Sequence, residues 1–455
     1  MKALFDANLV SRYNVNGARY TSYPTANVFH DTDSKEYEKV LEGVAEGVPL
    51  SLYLHVPFCN TICYYCACNK INTGNQKHAQ DYIGRLIQEM ALQSGHLQGE
   101  HPVEQLHFGG GTPTFLSDEQ FQRVFEGLNR HFQLLDGANR DYSVEIDPRK
   151  LAPQRIDVLA EFGFNRMSIG VQDFDSAVQE AVNRIQSEAE TQAIVDAARS
   201  NGFESINVDL IYGLPLQTVS GFQRTLERVM GLSPDRISLY NYAHLPDRFK
   251  TQRQIRAEDL PEPETKLELM STAIRQFEAS GYEYVGMDHF AKPTDGLLRA
   301  REDGDLHRNF QGYTTHGHCE LVALGVSAIS KVGRAYAQNA KTLEGYYAAI
   351  DEGRLATDRG YVMNGDDEII GDVIQDLMCK FEVDAPAFGA RHKIDFWQYF
   401  ESAWPQLAQM AEEGLLDLSR EKMVVTPQGR FLIRNVCMAF DAHLPPQVRG
   451  FSKTI

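Results

Sequence analysis

Between residues 51 and 243 six short apolar runs alternate with longer, amphipathic stretches, and few folds accommodate that rhythm. Residues 51–56, 105–110, 142–147, 166–172, 205–212 and 236–243 read as strands. Residues 78–97, 117–132, 188–200 and 221–231 read as helices between them. Strands that alternate with helices form βα units around a parallel sheet. Six units fit a partial barrel. In parallel α/β architectures functional side chains gather at the carboxyl ends of the strands, so candidate site residues are sought there.

The first strand runs into His55-Val56-Pro57-Phe58-Cys59-Asn60-Thr61-Ile62-Cys63-Tyr64-Tyr65-Cys66-Ala67-Cys68, which places four of the seven cysteines within ten residues. Thiols this close serve a metal, a disulfide or a small buried cluster. Structural zinc draws its ligands as two separated knuckles, and one short loop suits it poorly. Iron-sulfur clusters are held by tight runs of thiolates on one segment. Pro57 and Asn60-Thr61 favour a loop over a helix. The other cysteines, Cys319, Cys379 and Cys437, stand far apart and the total is odd, which is no disulfide framework. A reducing, cytoplasmic setting is expected. The first seven residues lack the apolar core of a secretory signal, and no apolar run reaches the roughly 18 residues of a membrane span. A net charge of −18 opposes broad nucleic-acid binding. An anionic substrate then requires a locally basic pocket.

Other strand ends carry chemistry as well. Gly109-Gly110-Gly111-Thr112-Pro113-Thr114 follows the second strand, and its glycines suit either close approach to a ligand or a flexible turn. Ser117 and Gln120 then form a capping-box pattern. Glu145, Gln172 and Asp209 lie near the ends of the third, fourth and fifth strands, and Arg184 follows Gln172. A lone polar residue in such a place commonly satisfies nearby backbone. In Arg19-Tyr20-Thr21-Ser22-Tyr23-Pro24, Arg19 suits a carboxylate and Tyr20 or Tyr23 a flat apolar ring. His316-Gly317-His318-Cys319-Glu320 offers metal-type side chains, with a polar loop as the simpler account. Near the C-terminus, residues 344–352, 367–381 and 396–413 read as helices, and 415–436 as a short hairpin beside a helix. This gives a winged-helix-like appendage, expected to serve as a lid or substrate domain. The expected divisions are an N-terminal extension over 1–50, a catalytic domain over 51–340 and a mainly helical domain over 341–455.

The C-x3-C-x2-C spacing of Cys59, Cys63 and Cys66 resembles the cluster motif of the radical S-adenosylmethionine (SAM) superfamily. With Cys68 added, the pattern resembles the oxygen-independent coproporphyrinogen III oxidases. Residues 19–26, Tyr284-Val285-Gly286-Met287-Asp288-His289-Phe290-Ala291, 307–315 and 325–330 are similar to the same family. The resemblance implies an α/β fold with a partial (β/α)6 barrel, an N-terminal extension that contributes to the substrate site, and a mainly helical C-terminal domain.

The resemblance also implies a 4Fe-4S cluster on Cys59, Cys63 and Cys66, with Cys68 outside the ligand set. It places Cys68, Tyr53 and His55 in the catalytic group. SAM, in one or two molecules, is expected against Tyr53, Tyr65, Gly110, Gly111, Thr112, Glu145, Gln172, Arg184, Asp209, Ala243 and Ile329. Arg19, Arg308 and Gln311 are expected on the tetrapyrrole side. The implied reaction uses a 5′-deoxyadenosyl radical to convert two propionates of coproporphyrinogen III to vinyl groups, giving protoporphyrinogen IX in haem biosynthesis. A flavodoxin or ferredoxin as reductant, a separate final electron acceptor and a monomeric chain complete the expectation. Two features depart from the family pattern: Ala67, where glycine is common, and the residues around His318. A haem-binding chaperone of related fold and a radical SAM enzyme acting on another tetrapyrrole remain as rivals. Cys68 and residues 19–26 oppose the first, and product mass separates the second.

Overall fold

The computed structural model describes residue 9 and residues 12–137, 140–444 and 453–454. The six expected strands are present as β1 (Leu50–Val56), β2 (Pro102–Gly110), β3 (Asp141–Ile146), β4 (Arg166–Gln172), β5 (Ser205–Tyr212) and β6 (Arg236–Asn241). All neighbouring pairs from β1 to β6 are parallel. In β1, six of seven residues are buried, as expected of a strand covered on both faces. The crossovers carry α1 (Gln76–His96), α2 (Asp118–His131), α3 (Gln154–Glu161), α4 (Glu188–Ser200) and α5 (Val219–Leu232). Ser117 with Gln120 and Ser187 with Glu190 close full capping boxes on α2 and α4, which fixes where each helix leaves its strand.

The sheet continues past β1 on its other edge. There β7 (Glu320–Leu324) lies parallel to β1, and β8 (Ile329–Val332), β9 (Ala335–Asn339) and β10 (Thr357–Val362) follow as an antiparallel meander. Among these ten strands the order is β10-β9-β8-β7-β1-β2-β3-β4-β5-β6. The (β/α)6 core stands as expected, and β8 to β10 make the sheet mixed.

Two compact units interleave along the sequence, where three consecutive segments were expected. One comprises Phe29–Leu269 and His318–Val362 and contains this sheet. The other comprises Met1–Val28, Met270–Gly317 and Met363–Ile455. The second unit packs around the helix Gly365–Lys380, whose Val373, Leu377 and Met378 are buried with Leu407, Met410, Val436 and Cys437. Tyr20 and Tyr23 belong to this core, at 2% and 5% exposure, with Tyr20 donating to Asp441. They are packing residues, which corrects their reading as ring-binding aromatics. The helix expected over 396–413 is broken into Phe396–Tyr399, a 3-10 turn and Trp404–Glu412. Pro405 explains the break, because its ring cannot continue a helix from the preceding turn. The expected hairpin is Leu416–Leu418 against Lys422–Val425, and Glu382–Asp384 adds a third antiparallel strand. Among the described residues no helix is long and apolar enough to cross a membrane.

A buried carboxylate ties the added strands to α1. Glu89 is fully buried and accepts from Gly325 N at 2.7 Å, Asn339 Nδ2 at 2.6 Å and the Tyr346 hydroxyl at 2.6 Å. Burial raises its pKa to about 7, although these donors oppose the shift. An acid whose folded pKa lies above its unfolded value stabilises the fold fully below the unfolded pKa and loses that contribution as pH rises through the folded one. Glu89 should therefore make stability fall from about pH 4.5 to about pH 7. Glu89→Gln should flatten this dependence in denaturant unfolding followed against pH, and Glu89→Ala should cost about 1–3 kcal/mol by stranding three buried donors. An unchanged pH slope in Glu89→Gln would remove this carboxylate from the account.

Candidate active site

The cysteine loop is pinned at its neck. Phe58–Cys59 pairs in parallel with Ile71–Asn72, and two more backbone bonds, Ile71 N to Pro57 O at 2.6 Å and Thr73 N to Cys59 O at 3.0 Å, close the loop just beyond the carboxyl end of β1. All seven cysteines are free thiols. Cys59 and Cys63 are buried, Cys66 is partly buried and Cys68 is exposed. Burial pushes the Cys59 thiol up to about 11, and Thr112 Oγ1 donates to its sulfur at 3.4 Å. Cys63 Sγ receives Arg149 Nη2 at 3.3 Å and Arg184 Nη1 at 3.4 Å. Cys66 is drawn down to about 5, first by the thiol of Cys68 and then by Lys70, and Cys68 is raised correspondingly.

Packing explains the glycines that follow β2. Gly110 has φ +112°, and a Cβ there would meet the His55 ring at 2.6 Å. At Gly111 a Cβ would meet the Pro57 carbonyl carbon at 2.8 Å. The strand end must lie flat against the neck of the cysteine loop, and only glycine permits that approach. Gly110 N also donates to Glu145 Oε2 at 3.0 Å.

Side chains at the neighbouring strand ends form two networks. Tyr53 donates to His55 Nδ1 at 3.0 Å, while His55 Nε2 donates to the Asn69 carbonyl at 2.9 Å. The carbonyl fixes the imidazole tautomer, and burial keeps His55 neutral by lowering its pKa. The Tyr53 ring stacks on His107 at 5.7 Å, and His107 Nε2 lies 3.5 Å from Glu145 Oε1. Enclosure alone would raise the Glu145 pKa, but His107 and Gly110 N hold it below the usual carboxylate value. Asp209 accepts from Ser168 Oγ at 2.8 Å and Asn207 Nδ2 at 2.9 Å, yet burial raises it to about 6.

The second network surrounds Cys63. Asp147 pairs with Arg149 at 2.6 Å and with Arg184 at 3.5 Å, and Arg184 also donates to the Gly170 carbonyl at 2.6 Å. A Cβ at Gly170 would meet Arg184 Nη2 at 2.8 Å and Gln172 Nε2 at 2.9 Å, so these two side chains converge there. Arg184 Nε and Gln172 Oε1 are buried without a hydrogen-bond partner.

Asp147, Arg149 and His107 were not singled out from sequence, although Asp147-Pro148-Arg149 directly follows the third strand. Thr251 and Gln252 were also missed. Thr251 Oγ1 donates to Cys66 O at 3.1 Å, and buried Gln252 Nε2 donates to Tyr65 O at 3.0 Å and Ala243 O at 3.2 Å. One amide thus ties two of the expected positions, Tyr65 and Ala243, and no local signal in the sequence marks it. Ile329 opens β8, opposite Gln338.

The three residues expected on the substrate side lie in the other unit. Arg19 pairs with Asp288. Arg308 sits in the hairpin His307–Asn309/Gly312–Thr314, only 3% exposed, with its guanidinium 4.9 Å from the Tyr313 ring centroid. Gln375 fixes its backbone from both sides, at 3.2 Å to the N–H and 2.6 Å to the carbonyl. Arg308 Nε and Nη1 and Gln311 Nε2 are buried without partners.

Residues 53–229 match the Radical SAM superfamily model and residues 366–432 match the HemN C-terminal domain. The oxygen-independent coproporphyrinogen III oxidase of Pseudomonas aeruginosa is 50% identical over 454 residues, covering 99% of each chain. The enzyme of the same name from Escherichia coli strain K12 is 46% identical, covering 99% of this chain and 98% of that one. A solved structure of coproporphyrinogen III oxidase (HemN) from Escherichia coli superposes with a TM-score of 0.92 at 44% identity, over 97% of this chain and 99% of that one. The chain therefore belongs to the oxygen-independent coproporphyrinogen III oxidase family of radical SAM enzymes.

Proposed function

We propose that this chain converts two propionate side chains of coproporphyrinogen III to vinyl groups without oxygen, giving protoporphyrinogen IX. The observation that carries the reading is the pinned loop bearing Cys59, Cys63 and Cys66 at the carboxyl end of β1. Three thiolates from one segment are the donor set of a 4Fe-4S cluster that keeps one iron open. Arg149 and Arg184, both on Cys63, oppose the negative charge that such ligands collect. The buried, unpartnered Gln172 Oε1 and Arg184 Nε at the neighbouring strand end offer polar contacts to SAM. The donor set and the orphaned polar atoms fit both groups.

A cluster held by Cys59, Cys63 and Cys66, with SAM beside it, would supply one-electron reduction and hydrogen-abstracting radical chemistry. The chain's own residues position and shield. Glu145 and Asp209 present carboxylates for the ribose hydroxyls or the ammonium of SAM, and Asp209, with its raised pKa, can also donate. Tyr65 packs beside the apolar group of Val178, Val182, Ile211, Leu214, Tyr242 and Ile255 and excludes water from the loop. The Tyr53–His55 pair holds Asn69, near the far side of the loop, in register. Cys68 is exposed, and in this reading it stays outside the ligand set and meets the reacting side chain. In the other unit, Arg308 suits a propionate carboxylate, because its Nε and Nη1 are buried without acceptors and a buried cation gains most from an anion there. Arg19, held by Asp288, would approach the substrate as an oriented ion pair. A flavodoxin- or ferredoxin-class reductant in the cytoplasm supplies the electron that cleaves SAM, and a separate acceptor takes the electron left when each propionate loses carbon dioxide, in keeping with seven unpaired thiols.

The deciding experiment is anaerobic turnover of the reconstituted protein with dithionite, SAM and coproporphyrinogen III, read by mass spectrometry. Loss of two carboxyl groups with 5′-deoxyadenosine formed is expected, and an intact cluster without decarboxylation would overturn the reading. Cys68→Ser should abolish turnover while iron stays at about four per chain; full activity would remove Cys68 from the chemistry. Arg308→Gln should raise KM about 10- to 100-fold, the loss of one charge-assisted pair, and an unchanged KM would place the carboxylates elsewhere. Gln252→Ala should speed iron release to a chelator by loosening the loop at Tyr65, whereas a wild-type release rate would make that amide dispensable.

A further inference from the structure

The amino ends of the central strands hold a second group of metal-type side chains, well separated along β1 and β2 from the cysteine loop. It joins Glu104 of β2 to His318 and Cys319, which immediately precede β7. His318 Nε2 lies 2.7 Å from Glu104 Oε2, and Cys319 Sγ lies 3.8 Å from the same oxygen. One donor atom from each residue falls within 4.8 Å of the other two. We propose that Glu104, His318 and Cys319 form a zinc site that clasps the amino ends of β2 and β7 across β1.

Two features of the backbone build this convergence. In the β1–β2 ladder Leu50 pairs with Val103 and Ser51 with Gln105, so Glu104 is an extra residue without a partner on β1. Such a bulge re-aims a side chain that regular pleating would send elsewhere. His318 and Cys319 lie in a turn and bend before Glu320 enters the ladder. Strand alternation would point consecutive side chains to opposite faces, whereas the turn lets both face Glu104. Carboxylate from one strand and imidazole and thiol from the other are thus brought together by two separate departures from regular geometry.

The donor set selects the ion. Imidazole nitrogen, thiolate sulfur and one carboxylate oxygen suit a borderline cation, and three such ligands with one water are a four-coordinate zinc environment. Zinc bonds of about 2.0–2.3 Å set tetrahedral donors roughly 3.3–3.8 Å apart. The sulfur–oxygen separation already matches, and the imidazole has to withdraw from the carboxylate by less than about 1 Å. Glu104 and His318 side chains are 28% and 57% exposed, which leaves the fourth position open to water. Binding replaces the Cys319 S–H bond with a Zn–S bond, releases that proton to solvent and changes no oxidation state. The site lies at the strand ends where stability is set, opposite those that carry the chemistry, so zinc acts there as a clasp.

The test uses full-length protein with its iron-sulfur cluster reconstituted, equilibrated anaerobically with zinc chloride, desalted and analysed for zinc and iron together. Wild type should retain about one zinc per chain with iron unchanged. Cys319→Ala and His318→Ala should each lose more than nine-tenths of the zinc at wild-type iron content, which also reports that both variants are folded. Zinc should raise the thermal midpoint of wild type and of neither variant. No retained zinc in wild type, or equal zinc in wild type and both variants, would overturn the proposal. Zinc gained at the expense of iron would do the same, because the ion would then sit on the cluster cysteines.

Discussion

Holding three thiolate donors on one short loop is the constraint on which the rest of the site depends. Like charges brought together repel, and a loop of this length has no periodic hydrogen bonding of its own to resist them. The resistance comes from outside the loop. The Phe58–Cys59/Ile71–Asn72 ladder fixes its neck, Thr251 and Gln252 hold its middle by the carbonyls of Cys66 and Tyr65, and Arg149 and Arg184 place positive charge on Cys63. Beyond the ladder, these partners come from three separate stretches of chain, those that follow β3, β4 and β6. The barrel thus gathers, from across some 190 residues of sequence, what the local sequence cannot supply.

The same logic accounts for what the sequence disclosed. β1 to β6 were legible because parallel strands buried on both faces are written as unbroken apolar runs, and capping boxes such as Ser117/Gln120 mark the helices between them. β8 to β10 escaped notice because short antiparallel strands such as Ala335–Asn339 carry polar residues that only tertiary partners bury. The break at Pro405 was written in the chain, but the apolar period on either side of it outweighed one residue. The four cysteines were conspicuous through their spacing. Gln252 was not, since a glutamine in a loop becomes informative only when its three bonds are seen.

Tyr20 and Tyr23 show a different source of error. The chemistry of an aromatic side chain is the same against a ligand and in a core, so residue type alone does not separate the two uses. Burial does. Glycine gave the converse case: close approach to a ligand and close approach to a neighbouring strand make one steric demand, and Gly110 and Gly111 meet it against His55 and Pro57. Their service to a ligand would follow from the packing that already requires them.

Burial of charge separates residues that hold the fold from residues that await a partner. Glu89 and Arg308 are both buried ionisable groups in these two units, and a buried charge costs several kcal/mol unless it is compensated. Glu89 is compensated within the fold, with donors on both oxygens of its carboxylate. Arg308 rests on the Tyr313 ring but leaves two of its nitrogens without acceptors, and Gln311 Nε2 in the same hairpin segment also lacks one. Its backbone is clamped by Gln375, so the side chain does not escape to water at little cost. Stability alone would favour an apolar residue in that position. A guanidinium kept there with unfilled hydrogen bonds is preorganised for an anion, which is the ground for proposing that it meets a substrate carboxylate.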